Sequence, residues 1–225
     1  MKLKQLAALC ALSIAGNAYA DVTVKETDKF QDVAEKVSQL TAKGESPLIV
    51  IDIDNTLLTS TSDIGGDIWY QWQRGKLDVK PSAEDKVGCL FEDSIGLLYE
   101  LVPMKIIEND VPATVKGWQD KGLTVMALTS RSPNYRYATE REMARAQYDM
   151  TRTALKEKGS DELPIYIDNP KRPLSYINGI MMTTGMNKGT MLEYILDKTD
   201  QSFSSVVFID DNRFRRTKHF NACVL

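Results

Sequence analysis

Histidine is almost missing from this 225-residue chain, which has only His219, and cysteine occurs three times, at Cys10, Cys89 and Cys223. So few soft ligands, so far apart, leave no plausible zinc site. Long apolar runs are missing as well. The one early run, Leu6 to Ala15, is too short to span a bilayer, and nothing later reaches the length a span requires. Positive charge is not in surplus: 28 Lys and Arg stand against 31 Asp and Glu, a formal net charge of −3, with no basic run. Such a chain is a poor candidate for a nucleic-acid or anionic-membrane surface. Internal repeats and low-complexity segments are also absent. What remains is ordinary apolar and charged content, enough for one good core with a small insertion.

The first twenty residues stand apart from that core. Lys2 and Lys4 make a basic start, the short apolar run follows, and Ala18-Tyr19-Ala20 forms an A-x-A cleavage site before Asp21. The pattern predicts a cleaved secretory signal peptide over 1–20 and a periplasmic or secreted mature protein. Cys10 lies inside the apolar run and follows Leu9 rather than a small residue, which argues against a lipoprotein signal. Cleavage removes two lysines and no acid, moving the formal charge from −3 to −5. Cys89 and Cys223 survive; a disulfide and two free buried thiols are equally compatible with the sequence, because pairing needs geometry that sequence lacks.

The mature chain is organised around Leu48-Ile-Val-Ile-Asp-Ile-Asp-Asn-Thr-Leu-Leu58. Its apolar part reads as a buried parallel strand, hydrophobic on both faces. Asp52 and Asp54 share a strand face, since side chains alternate with period two. Two like charges so placed repel each other unless a cation shares the site. A solvated turn with an Asx cap is the bland alternative for such a pair.

Thr27 or Asp28 can cap a first helix running to about Ala42, with Phe30, Val33, Val37 and Leu40 on one stripe. From Thr59 to about Leu101 the pattern turns irregular and reads as an insertion, carrying Gly65-Gly66, an aromatic cluster (Trp69, Tyr70, Trp72) and a helix after Ser82. The aromatics serve as the insertion's own core or as a wall facing substrate. A helix with Val111, Val115 and Trp118 leads to a second buried strand, Leu123 to Leu128, ending in Thr129-Ser130-Arg131-Ser132. A long helix is predicted from about Tyr135 to Lys158. Pro164 to Asp168 and Tyr176 to Thr183 read as a small hairpin about 164–184. Asn187 can cap a helix with Lys188 in its first turn, and a last apolar strand, Ser205 to Ile209, ends in Asp210 and Asp211.

Three apolar strands separated by helices thus end in polar side chains. In an open parallel sheet the carboxyl edges of neighbouring strands line one ligand crevice. That crevice would hold Asp52, Asp54, Thr129, Ser130, Asp210 and Asp211, with Lys188 arriving on a helix start. Four carboxylates around one point suit a hard divalent cation, Mg²⁺ rather than zinc. A hydroxyl, a lysine and a helix amino end suit phosphate oxygens. A carboxylate nucleophile is an established route for phosphoryl transfer.

On Asp52-Ile-Asp-Asn-Thr56, the strand-end Thr129-Ser130, Lys188-Gly189 before a helix and Phe208-Ile-Asp-Asp211, the chain resembles the haloacid dehalogenase (HAD) superfamily of aspartate-dependent phosphohydrolases. Within it, the chain looks like a secreted bacterial HAD-like branch. The resemblance spans nearly the whole mature chain. It implies that Asp52 attacks phosphorus to form an aspartyl-phosphate and that Asp54 protonates the leaving group and then activates water. Thr129, or in second place Ser130, would bind the transferring phosphoryl group, and Lys188 would hold Asp52 and the phosphate together. Mg²⁺ would take the Asp52 carboxylate, the Asp54 backbone carbonyl and Asp211, with Asp210 helping through water. Family ATPases carry Thr at the Asp54 position and dehalogenases lack an acid there, so a phosphatase or phosphomutase is implied.

The resulting expectation is a Rossmann-like three-layer α/β sandwich with a mainly parallel sheet and a small, mainly helical cap at about 59–101. The expected function is Mg²⁺-dependent hydrolysis of a small phosphorylated substrate. An exported binding or effector protein on the same fold, and a phosphotransferase or phosphomutase, are the alternatives. Arg131 reads as a surface salt-bridge residue first and a substrate contact second, His219 as an ordinary surface residue and the Met181-Met182 pair as hairpin packing. Only fourteen residues follow Asp211, where the resembled family continues with a helix and often a strand, so a frayed end and an exposed sheet edge are expected.

Overall fold

The computed structural model describes residues 23–211 and 222–224. The elements are β1 (Thr23–Val24), α1 (Phe30–Ala42), β2 (Leu48–Ile51), β3 (Leu58–Ser60), α2 (Asp67–Gln73), a π turn (Leu90–Ser94), α3 (Ile95–Leu101) and β4 (Met104–Ile106). They continue with α4 (Val111–Asp120), β5 (Val125–Thr129), a 3₁₀ turn (Pro133–Tyr135), α5 (Arg136–Arg145), β6 (Tyr166–Asp168), β7 (Leu174–Ile177), β8 (Ile180–Met182), α6 (Lys188–Thr199), β9 (Val206–Ile209) and β10 (Ala222–Val224). Eight strands form one sheet in the order β1-β10-β9-β2-β5-β8-β7-β6, parallel except for the two antiparallel pairings of β7.

Strand β2 lies at the centre because it is apolar on both faces. Ile49 and Ile51 pack with Phe30, Val33 and Val37 of α1 and with Val111, Val115 and Trp118 of α4. Leu48 and Val50 face the other way, onto Leu192, Ile195 and Leu196 of α6. All four β2 side chains are fully buried, each contributing about 1.5–3 kcal/mol relative to exposure. The period-two alternation therefore builds a three-layer α/β sandwich, helices on both faces of a mostly parallel sheet. No helix among the described residues is long and apolar enough to cross a membrane.

Between β2 and α4 the chain leaves the sheet. Strands β3 and β4 pair antiparallel as a two-stranded stem, Ser60 opposite Met104. Beyond that stem, α2, the π turn and α3 form the cap, with an irregular stretch after Arg74. The helix expected after Ser82 does not form there, although the Ser82 and Asp85 side chains bond each other and each other's backbone N–H. These reciprocal bonds have the form of a helix-start capping box, but the turn they close at 83–85 is not continued.

Four further expectations change. Helix α5 stops at Arg145 instead of Lys158, because Gln147 adopts φ +64 and the Asp149 carboxylate accepts from the Thr151 N–H and hydroxyl in an Asx turn. The supposed hairpin at 164–184 is a three-stranded meander joined to the main sheet through β8 and β5, and its tight turn is Asn178-Gly179. Gly179 is required there: at φ +76, an added Cβ would collide with the Met150 carbonyl. Helix α1 begins at Phe30, and the Thr27 hydroxyl donates to Asp32 and accepts from the Lys29 N–H instead of capping the helix. Finally, β10 pairs parallel with both β9 and β1, so the edge of β9 is covered.

Met181 and Met182 are core residues of β8. Cys89 is exposed and free, and the Cys223 side chain lies outside the described side chains. The signal-peptide segment 1–20 and His219 lie outside the described residues.

Candidate active site

The carboxyl ends of β2, β5 and β9 lie side by side because these strands are adjacent and parallel: Ile51 pairs with Ala127 on one side and with Ile209 on the other. Whatever follows each strand is delivered to one crevice. After β2 the chain turns sharply. The Ile53 carbonyl accepts from the Leu57 and Leu58 N–H groups at 3.0 and 2.9 Å, and Asn55 sits at φ +59, which its short polar side chain tolerates. The Thr59 hydroxyl donates to Asn55 Oδ1 (3.1 Å), and the buried Thr56 hydroxyl accepts from the Asp211 N–H (3.2 Å), tying this turn to the one after β9.

Lys188 arrives by a different route. Beyond β8 the backbone runs along the end of β5: Thr183, Thr184 and Gly185 donate their N–H groups to the carbonyls of Thr129, Arg131 and Ser130. Asn187 then caps α6 by accepting from the Thr190 N–H (3.0 Å), and Lys188 opens the helix. Its ammonium meets Asp52 Oδ2 at 2.8 Å and Asp210 Oδ2 at 2.6 Å. Asp52, Asp210 and Asp211 each offer a carboxylate oxygen, all within 4.8 Å of one another.

These charges lie in a poorly solvated place. The Asp52 side chain is only 6 % exposed and that of Lys188 14 %. Burial pushes the Asp52 carboxyl up to about 7; Lys188 opposes this, while Asp210 and Asp54 add to it. Burial also works against charge on Lys188, but Asp52 and Asp210 outweigh it and hold the ammonium above its usual pKa. Three hard carboxylate oxygens so close could hold a divalent cation.

Asp54 is engaged differently. Both its oxygens accept from Arg131, Oδ2 from Nε at 2.9 Å and Oδ1 from Nη2 at 2.7 Å, a bidentate pair. Arg131 is therefore not the surface residue the sequence suggested: its side chain is 1 % exposed. It also donates to the Thr139 hydroxyl (3.0 Å), contacts Met104 Sδ, and lies 3.9 Å from the centroid of the Tyr99 ring in the cap. Burial disfavours its charge, yet the Asp54 pair more than compensates and raises its pKa. Tyr99 shifts upward too, through burial first and the nearby Asp54 next.

Of the two hydroxyls expected to meet phosphate, Thr129 is fully buried and accepts from the Arg131 N–H (3.2 Å), whereas Ser130 is exposed and lines the cleft. The cleft measures about 800 Å³ and runs from Asp52, Asp54, Lys188 and Asp211 up to the cap. Trp69 and Tyr70 of the predicted aromatic cluster line it; Trp72 does not. Sequence reading named Arg131 as a salt-bridge residue but placed it at the surface, and it gave no site role to Tyr99, Arg74 or Phe91. For Arg131 the signal was its place directly after a strand-end Thr-Ser; its partner was not readable.

A family model described as "Protein of unknown function (DUF2608)" matches residues 26–220. The chain belongs to the DUF2608 family. The matched span takes in every residue of the crevice described above, from Asp52 to Asp211. No curated protein and no solved structure matches this DUF2608 chain.

Proposed function

We propose that this protein is a Mg²⁺-dependent phosphatase that hydrolyses phosphate monoesters through an aspartyl-phosphate on Asp52, as its resemblance to the HAD phosphohydrolases implies. The observation that carries the reading is the Asp52 carboxylate. It is held by Lys188 Nζ at 2.8 Å, beside Asp210 and Asp211, at the carboxyl edge of a parallel sheet and open to a cleft of about 800 Å³.

In the first step an Asp52 oxygen bonds to phosphorus and the bond from phosphorus to the ester oxygen breaks, its electron pair leaving with the alcohol. Lys188 offsets the charge on the phosphoryl oxygens, and Ser130 supplies a hydroxyl at the cleft wall. Asp54 gives the departing oxygen its proton. Water then attacks phosphorus, passes a proton back to Asp54, and releases phosphate with Asp52 regenerated. The Arg131 pair uses Asp54 in its ionised form. That form suits the base step, each oxygen keeping a second lone pair for water's proton, whereas the acid step requires the Arg131 pair to loosen as Asp54 takes up a proton. A divalent cation held by Asp52, Asp210 and Asp211 would neutralise charge on the transferring group.

The decisive experiment is p-nitrophenyl phosphate hydrolysis by the mature protein with and without Mg²⁺, beside Asp52→Asn. Asn keeps the shape and removes the nucleophile, so turnover should need the metal and fall by about three or more orders of magnitude in the variant. Equal turnover by the folded variant, or none by the folded wild type, overturns the reading.

A further inference from the structure

The cap half of the cleft is built from rings. Trp69 and Tyr70 come from α2, Phe91 from the π turn and Tyr99 from α3, and all four line the cleft. Tyr70 and Phe91 meet edge to face with centroids 6.0 Å apart, an arrangement that holds each ring in place without a ligand. Phe91 is nevertheless 58 % exposed. A large apolar ring left to water inside a concave site is a surface for a ligand to cover.

Beside these rings stands a cation without an acidic partner. Arg74, the C-cap of α2, lays its guanidinium over Tyr70 (5.2 Å to the centroid) and Phe91 (5.8 Å), and makes no ion pair among the described residues. Arg131 and Lys188 are both taken by aspartates. Lys76 and Arg172 also line the cleft without an acidic partner among the described residues, but only Arg74 lies over the rings. Arg74 is exposed and flanks the aromatic wall, where a planar guanidinium suits a carboxylate or a second phosphate. An aliphatic phosphate ester would leave both the rings and Arg74 unused.

We infer that the substrate of this site is a phosphomonoester whose organic part is an aromatic ring bearing a second acidic group, the ring covering Phe91 and Tyr70 and the acid meeting Arg74. This rests on the phosphatase reading above and assigns the cap as the part that selects the substrate.

Three esters test it on the mature protein with Mg²⁺: 4-carboxybenzyl, benzyl and n-propyl phosphate. All release a primary alcohol, so their intrinsic reactivity is close and differences in kcat/KM report recognition. The expected order is carboxybenzyl over benzyl over propyl, about tenfold for the acid and several-fold for the ring. Arg74→Ala should bring the carboxybenzyl to benzyl ratio near one, mainly through KM. Phe91→Ala should shrink the benzyl to propyl ratio. Both side chains are exposed, and an unchanged thermal midpoint verifies that each variant folds. Equal kcat/KM for the three esters, or ratios that survive both substitutions, overturns the inference and leaves the phosphatase reading standing. Hydrolysis of none of them, nor of p-nitrophenyl phosphate, overturns both.

Discussion

Burial and like charge conflict most sharply at Asp52. Burial pushes its carboxyl up to about 7 in the folded protein, from an ordinary value of 3.8. Between those values the folded state holds a proton that the unfolded state has released. The stability contributed by Asp52 therefore falls as pH rises from about 4 through about 7 and stays low above. Asp52→Asn removes that loss while leaving Lys188 its 2.6 Å partner, Asp210. In a chelating buffer the variant should unfold later than wild type at pH 8, by on the order of 1–2 kcal/mol, with the gap closing toward pH 4. Thermal melts across that range check this; a variant less stable than wild type at pH 8 would refute the electrostatic account.

At the scale of elements, Arg131 ties the cap to the ends of the sheet strands, while Arg141 of α5 holds α3 through the Tyr99 and Glu100 carbonyls. Arg131 leaves the end of β5, grips Asp54 after β2, reaches Thr139 on α5 and Met104 on β4, and covers the Tyr99 ring of α3. A buried guanidinium is tolerable only with its anion. Asp54→Ala strands that charge and should cost about 2–3 kcal/mol in urea denaturation, at the lower edge for such pairs because water reaches the 35 % exposed Asp54 side chain. Asp54→Asn, which keeps an acceptor oxygen, should cost less. With the Asp54 anchor gone, limited proteolysis should cut more readily between β3 and β4. Wild-type stability in the alanine variant would show that Arg131 does not couple these elements.

For the whole molecule, the Asp52, Asp210 and Asp211 cluster is, under the proposed function, a site where a cation would bind the folded state. A ligand that binds only the folded state stabilises it by about 2.7 kcal/mol at one hundred times its Kd. For a chain of this size that is a rise in Tm of roughly 5–10 °C. Mg²⁺ should give such a rise above pH 7, and Asp211→Asn should weaken it. Sodium chloride of equal ionic strength should not reproduce it. A melting curve indifferent to Mg²⁺ at millimolar concentration would argue against a divalent cation at this cluster.

Much of the fold was legible in local order. β2, β5 and β9 are short apolar runs ending in polar residues, and the period-two alternation of Leu48 to Ile51 already implied two covered faces. Parallel strands linked by helices place their carboxyl ends on one edge, so the shared crevice of Asp52 and Asp210 was legible in sequence pattern, while Lys188 beside Asp52 was implied only by the family resemblance. The end of α5 was not legible, because the Asx turn at Asp149 competes with helix through side-chain bonds that periodicity does not register. The meander of β6, β7 and β8 was read as a separate hairpin, since sheet membership is decided by pairing with the distant β5.

Only the tertiary structure decided the partners. Arg131 and Asp54 are 77 residues apart, and nothing in the residues around either specifies the other. The same holds for Thr129, which a strand-end pattern offers to the crevice and packing removes from it, leaving Ser130 at the wall. It holds again for the rings and Arg74 of the cap, whose spacing says only that they share an insertion. Sequence determines which residue types stand at the end of each strand, because alternation and strand length are local. Which of them face the cleft, and which are spent on one another, depends on contacts across the fold.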